Sequence, residues 1–138
     1  MSEHHFIDKG NMVTAQEIVE RKSKTDKLIS VSPKSTLLEV IMLMRSHDIT
    51  QLPVVEDGKV VGTINESRVL NTILDDPSLK DSPVADAMSD PFPFVLPTTR
   101  IDLISKMINK DCPAVMLQDL DGRLHIITKS DLIAVLAG

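Results

Sequence analysis

Apolar side chains recur at intervals of three and four at Leu37, Val40, Ile41 and Met44, and again at Ile101, Ile104, Met107 and Ile108. That spacing places them on one face of a helix, so each run predicts an amphipathic helix with a buried side. Thr36 with Glu39, and Thr99 with Asp102, fit the pattern in which a hydroxyl and a carboxylate satisfy free amides of a first turn. Both helices are therefore expected to start just past a proline, Pro33 or Pro97. Short β-branched runs, Val54-Val55 and Val60-Val61, flank Glu-Asp-Gly-Lys and predict a tight hairpin; Asp119-Leu-Asp-Gly122 predicts a second. Apolar segments Val69 to Leu74 and Leu132 to Leu136 predict a closing helix after each hairpin, and residues 29–33 and 94–97 predict a leading strand before each amphipathic helix. Two short helices complete the reading. One runs from a Thr14/Glu17 cap to Glu20 or Lys22, and the other is Val84 to Met88, capped by Ser82 with Pro83 in its first turn.

The same order of elements thus occurs twice, strand-helix-strand-strand-helix. Pro33 is set against Pro97, Pro53 against Pro113, and Gln51-Leu-Pro-Val-Val against Cys112-Pro-Ala-Val-Met. The expected fold class is α+β, a mixed α/β chain of two tandem β-α-β-β-α repeats with a short helix before each. Its expected divisions are a tail over 1–13, a first repeat with its leading helix over 14–80, and a second repeat over 81–138. A single copy of about 50 residues buries too little surface to be stable alone, so the copies are expected to pack about a pseudo-twofold axis.

Composition narrows the function. The 138 residues are 42% apolar, enough for a real core, and no apolar run reaches the length of a membrane-spanning helix. A formal net charge of −5 argues against non-specific binding to nucleic acid or an anionic membrane. With no Trp or Tyr and only Phe6, Phe92 and Phe94, a base-stacking surface is hard to build, so any ring is expected to lie between aliphatic side chains. One cysteine, Cys112, allows no intrachain disulfide, and Met1 to Gly10 lacks an apolar signal core, so the expected compartment is the cytoplasm. There is no Gly-rich phosphate loop, His-Glu-x-x-His pair or nucleophile elbow. A binding module is expected, not an enzyme, with no catalytic cofactor and no metal; His4 and His5 lack partners at ligand spacing.

The duplicated pattern, with its Q-L-P-V-V strand, D-G-x-x-V-G hairpin and polar tripeptide leading into the last helix, resembles the tandem CBS domain, or Bateman module, over residues 14–138. Its segments Met88-Ser-Asp-Pro-Phe-Pro-Phe-Val95 and Ile127-Thr-Lys-Ser-Asp-Leu132 are most similar to the C-terminal regulatory region of bacterial cystathionine β-synthase. The resemblance implies a homodimer formed through the helices, and a pyridoxal-phosphate enzyme, fused or separate, as partner. It also implies an adenosyl ligand in the cleft between repeats: S-adenosylmethionine, AMP, ADP or ATP. In that family the last strand of a repeat ends in G-h-h-T-x-x-D, where h is apolar; the Asp takes the ribose diol and the Thr contacts the ribose or the group beyond.

By this resemblance the main site uses Thr128 and Asp131 with Ile126, completed by Lys27, Leu28, Ile49, Thr50, Gln51 and Leu52. Leu28, Ile49 and Ile126 would sandwich the adenine. His125 stands where the pattern has Gly, and the second hairpin is one residue shorter than the first. The first repeat carries Asn65 for Thr and Arg68 for Asp, and a guanidinium cannot accept from a diol. One competent site is therefore expected, and a degenerate one lined by Asn65, Arg68, Phe92 and Asp111, where Arg68 favours an anion. On spacing alone Thr128-x-x-Asp131 is also a capping box, and Met42, Met44, Met107 and Met116 read as core filler. The function implied is a regulatory sensor that binds an adenosyl compound and transmits a conformational change; the alternative is a ligand-free dimerisation scaffold.

Overall fold

The computed structural model describes residues 13–22 and 28–138, which form two compact units of mixed α/β structure. The continuous segment Ile29–Pro91 is one; the other joins the first helix to Phe92–Gly138. In chain order the elements are α1 (Ala15–Arg21), α2 (Leu37–His47), β1 (Gln51–Glu56), β2 (Lys59–Asn65), α3 (Glu66–Asp75), β3 (Phe94–Val95), α4 (Ile101–Met107), β4 (Ala114–Gln118), β5 (Leu124–Thr128) and α5 (Lys129–Ala137). Short 3-10 turns at Pro77–Asp81 and Val84–Asp86 connect α3 to β3. No helix among the described residues is long and apolar enough to cross a membrane.

In the Ile29–Pro91 unit, Thr36 Oγ1 accepts from Glu39 N at 3.1 Å, which starts α2 where the spacing predicts. Leu37, Val40 and Met44 enter the core with Leu52, Val54, Ile64 and Val69. Met42 does not; it is 61% exposed, because two residues turn it roughly 200° from Val40 around the helix. The β1–β2 hairpin closes through Asp57 and Gly58, with φ of 51° and 77°. Positive φ at both central residues is the turn whose twist suits a two-residue hairpin. Val61 is an extra residue, since Val54 pairs with Gly62 but Val55 with Val60. The strand expected over 29–33 shrinks to Val31, which donates to Pro53 O at 3.1 Å and accepts from Val55 N at 2.8 Å. It ends there because Ser32 and Ser35 turn the chain through Ser32 N to Ser35 Oγ and Lys34 N to Ser32 Oγ bonds.

The helix expected at Val84 to Met88 is only the 3-10 turn Val84–Asp86, with Pro83 rather than Ser82 at its N-cap and no side-chain cap bond. Met88-Ser89 leaves the turn to lie against β2, where Thr63 and Ser89 exchange backbone bonds of 2.9 and 2.8 Å. That approach explains Gly62: a Cβ there would sit 2.7 Å from Ser89 O and 2.8 Å from Met88 Sδ.

In the other unit β3 pairs parallel with β4, and β4 antiparallel with β5. Thr99 does not cap α4. Its hydroxyl accepts from Leu96 N at 2.9 Å, and the N-cap position of α4 is taken by Arg100. The second hairpin is not tight; residues 119–123 form the loop, closed around the Asp119 carboxylate by bonds from Asp121 N and Arg123 N, both 2.9 Å. The strand registers also correct the alignment of the repeats. Val31 bridges to Val54 as Val95 pairs with Leu117, so Pro53 matches Met116, not Pro113. Between the equivalent pairs Gln51–Asn65 and Ala114–Thr128 the two hairpins are equally long, so the second is not one residue shorter: the Val61 bulge of the first is offset by the longer loop of the second.

Helix α1 starts at Thr14, whose Oγ1 accepts from Glu17 N at 3.4 Å, and it packs in the unit that holds Phe92–Gly138. Ala15 N donates to Thr99 O and Ile101 N to Val13 O, both 2.8 Å, and Ala15 and Ile18 join Val95, Ile104, Val115, Leu117 and Ile127 in one core. The Val84 turn repeats this in the Ile29–Pro91 unit, with Val84 N to Ser35 O at 2.7 Å and Leu37 N to Ser82 O at 3.0 Å. The divisions 14–80 and 81–138 thus describe sequence repetition, while each leading segment is buried in the other compact unit.

Candidate functional site

Strand β5 runs into α5 at Thr128, and the first turn of that helix carries Asp131. The two form a capping-box arrangement: Asp131 Oδ2 accepts from Thr128 N at 2.9 Å and from Thr128 Oγ1 at 3.2 Å. A carboxylate here satisfies amides that the helix leaves free, and its charge is favoured by the positive end of the helix dipole. The same Oδ2 lies 3.3 Å from Lys22 Nζ, which also donates to Ile126 O at 2.8 Å. Lys22 and Asp131 keep 25% and 19% of their side-chain surface exposed. All the described bonds to this carboxylate fall on Oδ2.

A cavity of about 660 Å³ opens beside the carboxylate, lined by Ile18, Arg21, Lys22, Asp131, Ala134 and Val135. The lining, which also includes Gly138, combines the aliphatic Ile18, Ala134 and Val135 with the charged side chains of Arg21, Lys22 and Asp131. This volume lies within the range of small-molecule pockets.

The equivalent corner of the other unit is different. Asn65 caps α3 by accepting from Arg68 N at 2.8 Å, and Arg68 stands where Asp131 does. Arg68 lines a cavity of only about 150 Å³ with Leu37, Thr72, Leu79, Ser82 and Asp86. A guanidinium stands there in place of the Asp131 carboxylate, and the space is below the usual range of small-molecule pockets.

Thr128, Asp131 and Ile126 are brought together, Ile126 through its carbonyl. Lys27 lies outside the described residues, and Leu28 is half-buried. Ile49 and Gln51 are half-buried, Thr50 is exposed and Leu52 has its side chain in the core; these four belong to the Ile29–Pro91 unit. Of the expected second site, Asn65 and Arg68 share a helix turn, whereas Phe92 is buried and Asp111 sits on an exposed loop tied by Asn109 Oδ1 to Asp111 N at 2.8 Å. Sequence reading missed Lys22. In the sequence it is only a possible end of the first short helix, and the docking of α1 on β5 and α5 gives it a role.

His125, the departure from Gly in the repeat pattern, pairs through Nε2 with Asp119 Oδ2 at 2.8 Å. That hydrogen bond is the leading reason the Asp119 carboxyl is held below the ordinary range, against desolvation, which raises it, and with help from Arg123 N and Asp121 N. Against β5 the donor that Ser89 N supplies to β2 is supplied by Lys22 Nζ, which bonds Ile126 O.

Comparison with known proteins agrees with this architecture. The family model for the CBS domain matches residues 12–75. Over 117 residues the chain is 25% identical to the CBS domain-containing protein YhcV of Bacillus subtilis (strain 168), covering 85% of this chain and 78% of that protein. A CBS domain-containing protein of unknown function from Bacillus anthracis shares the fold with a TM-score of 0.77 at 17% identity, over 95% of this chain and 97% of the other. The crystal structure of CBSX2 in complex with AMP aligns with a TM-score of 0.66 at 19% identity, over 92% and 93% of the two chains. The first half of the chain thus matches the CBS domain, and the chain as a whole has the CBS-domain fold, with which a tandem pair is consistent.

Proposed function

We propose that this protein is a regulatory module that binds an adenosyl compound, S-adenosylmethionine or AMP, ADP or ATP, with the ribose held on Asp131. The observation that carries the reading is the Asp131 carboxylate, which caps α5 with Oδ2 and belongs to a residue lining a cavity of about 660 Å³. A carboxylate oxygen accepts hydroxyl donors strongly because the bond is charge-assisted. The aliphatic lining of Ile18, Ala134 and Val135 suits an apolar ring face in a chain with so few aromatic residues. The AMP bound by CBSX2, a protein of the same fold, supports the ligand class. Regulation then follows from differential affinity for two conformations, read by a partner such as a fused or separate pyridoxal-phosphate enzyme.

A second reading, a ligand-free scaffold that pairs two copies, is favoured by exposed apolar residues on the closing helices: Leu70 and Leu74 on α3, Ile133 and Leu136 on α5. A thermal-shift series with the four ligands, read with an external dye, separates the two. At a hundredfold excess over its dissociation constant a ligand adds about 2.7 kcal/mol, which is several degrees. The Asp131→Asn variant, which keeps an acceptor for the helix cap, is expected to lose about 1.5 to 3 kcal/mol of ligand affinity. No shift with any of the four would leave the scaffold as the function.

A further inference from the structure

We infer that Lys22 is an autoinhibitory latch: its ammonium holds the acceptors of the Asp131 corner, and an adenosyl ligand binds there by displacing it. The inference rests on the adenosyl-binding reading of that corner and names what the ligand must compete with.

Three observations carry it. First, Lys22 Nζ reaches Ile126 O at 2.8 Å and Asp131 Oδ2 at 3.3 Å, so one side chain at the end of α1 spans two acceptors where β5 runs into α5. A diol donates its hydroxyls to a carboxylate, and an ammonium already seated on that carboxylate competes for the same charge. Second, the other donors to Asp131 are Thr128 N and Thr128 Oγ1, at 2.9 and 3.2 Å. Those bonds join residues of one helix start and stay with the fold of α5. Lys22 is the donor that comes from another element, and it can leave without unmaking the cap. Third, the two units close the same edge position by different means. Thr63 of β2 exchanges main-chain bonds of 2.9 and 2.8 Å with Ser89, whereas its counterpart, Ile126 of β5, has Lys22 Nζ on its carbonyl. A main-chain pair opens only when the backbone moves; a lysine leaves by rotating its own four-carbon stem. The unit that carries the carboxylate is thus the one whose edge is closed by a removable donor. Lys22 and Asp131 keep 25% and 19% of their side-chain surface exposed, and a part-exposed ion pair is weak enough to open. The latched population lowers the apparent affinity for a ligand in proportion to the fraction of molecules whose corner is free.

The experiment is calorimetric titration of the full chain, as wild type, Lys22→Met and Lys22→Gln, with adenosine. Adenosine is neutral, so it reports the removal of a competitor without a change in charge attraction between ligand and protein. AMP is titrated alongside to test the adenosyl reading itself. Lys22→Met keeps the aliphatic stem, removes the donor, and is expected to bind adenosine about two- to tenfold more tightly than the wild type, the net worth of one hydrogen bond. A gain in affinity cannot come from a folding defect, and Lys22→Gln, also neutral, should shift in the same direction. Adenosine affinity that rises in neither variant, with AMP still bound by the wild type, would overturn the latch while the adenosyl reading stands. Failure of both compounds to bind any of the three proteins would overturn both.

Discussion

At Asp131, Oδ2 accepts from Thr128 N, Thr128 Oγ1 and Lys22 Nζ, so the structural role and the proposed ligand role fall on one side chain. The spacing Thr-x-x-Asp cannot separate the two roles, because a capping box and a ribose acceptor use the same residues at the same interval. Other single residues are more tightly determined. In Gly62→Ala the new Cβ meets the Ser89 carbonyl, which is locked by its bond from Thr63 N, so the backbone must move and not merely Met88. Urea denaturation should show a loss of about 1 to 3 kcal/mol; an unchanged midpoint would mean that the Met88-Ser89 segment yields freely. Asp119 is set by His125. A carboxyl held below its ordinary 3.8 contributes stability that is present above that pH and lost as the pH falls through it toward the folded value. The stability gap between wild type and Asp119→Asn should therefore be largest near neutrality and shrink in acid. A gap independent of pH would show that the His125 pair does not bear on folding.

At the scale of elements, α1 precedes one half and is buried in the other, and its Ile18 side chain is 1% exposed. Ile18→Ala should cost about 2 to 5 kcal/mol, the usual range for emptying a buried aliphatic site. Hydrogen exchange should show the loss in β4 and β5 with β1 and β2 still protected; equal deprotection of both sheets would contradict the assignment of α1. The existence of α1, α2 and the β1–β2 hairpin was legible from Thr14, Thr36 and Asp57-Gly58, because caps and turns are local chemistry. What α1 packs against was not, since an apolar face names no partner. The same limit explains the misaligned Pro53 and Pro113: two prolines at similar places look equivalent until strand pairing sets Met116 opposite Ile126 and Pro53 opposite Thr63. Thr99 misled for a related reason, because a threonine beside a helix start can serve the turn before it as well as the helix after it. Lys22 was invisible for the same cause as α1's partner, a long-range contact that no local pattern encodes.

Over the whole molecule, two units of similar build carry unequal sites. The Thr128–Asp131 corner has a carboxylate and about 660 Å³; the Asn65–Arg68 corner has a guanidinium and about 150 Å³. The expectation of one competent site rests on that asymmetry, of which the difference in charge, Asp131 against Arg68, was legible in the sequence. The volumes were not, since they depend on how α1 and the Val84 turn close each corner. Calorimetric titration of AMP into wild type, Asp131→Asn and Arg68→Ala tests this most directly. The account predicts saturable binding at one site per chain, a dissociation constant weakened about tenfold or more by Asp131→Asn, and no change with Arg68→Ala. Binding that survives Asp131→Asn at full strength, or that Arg68→Ala abolishes, would contradict it.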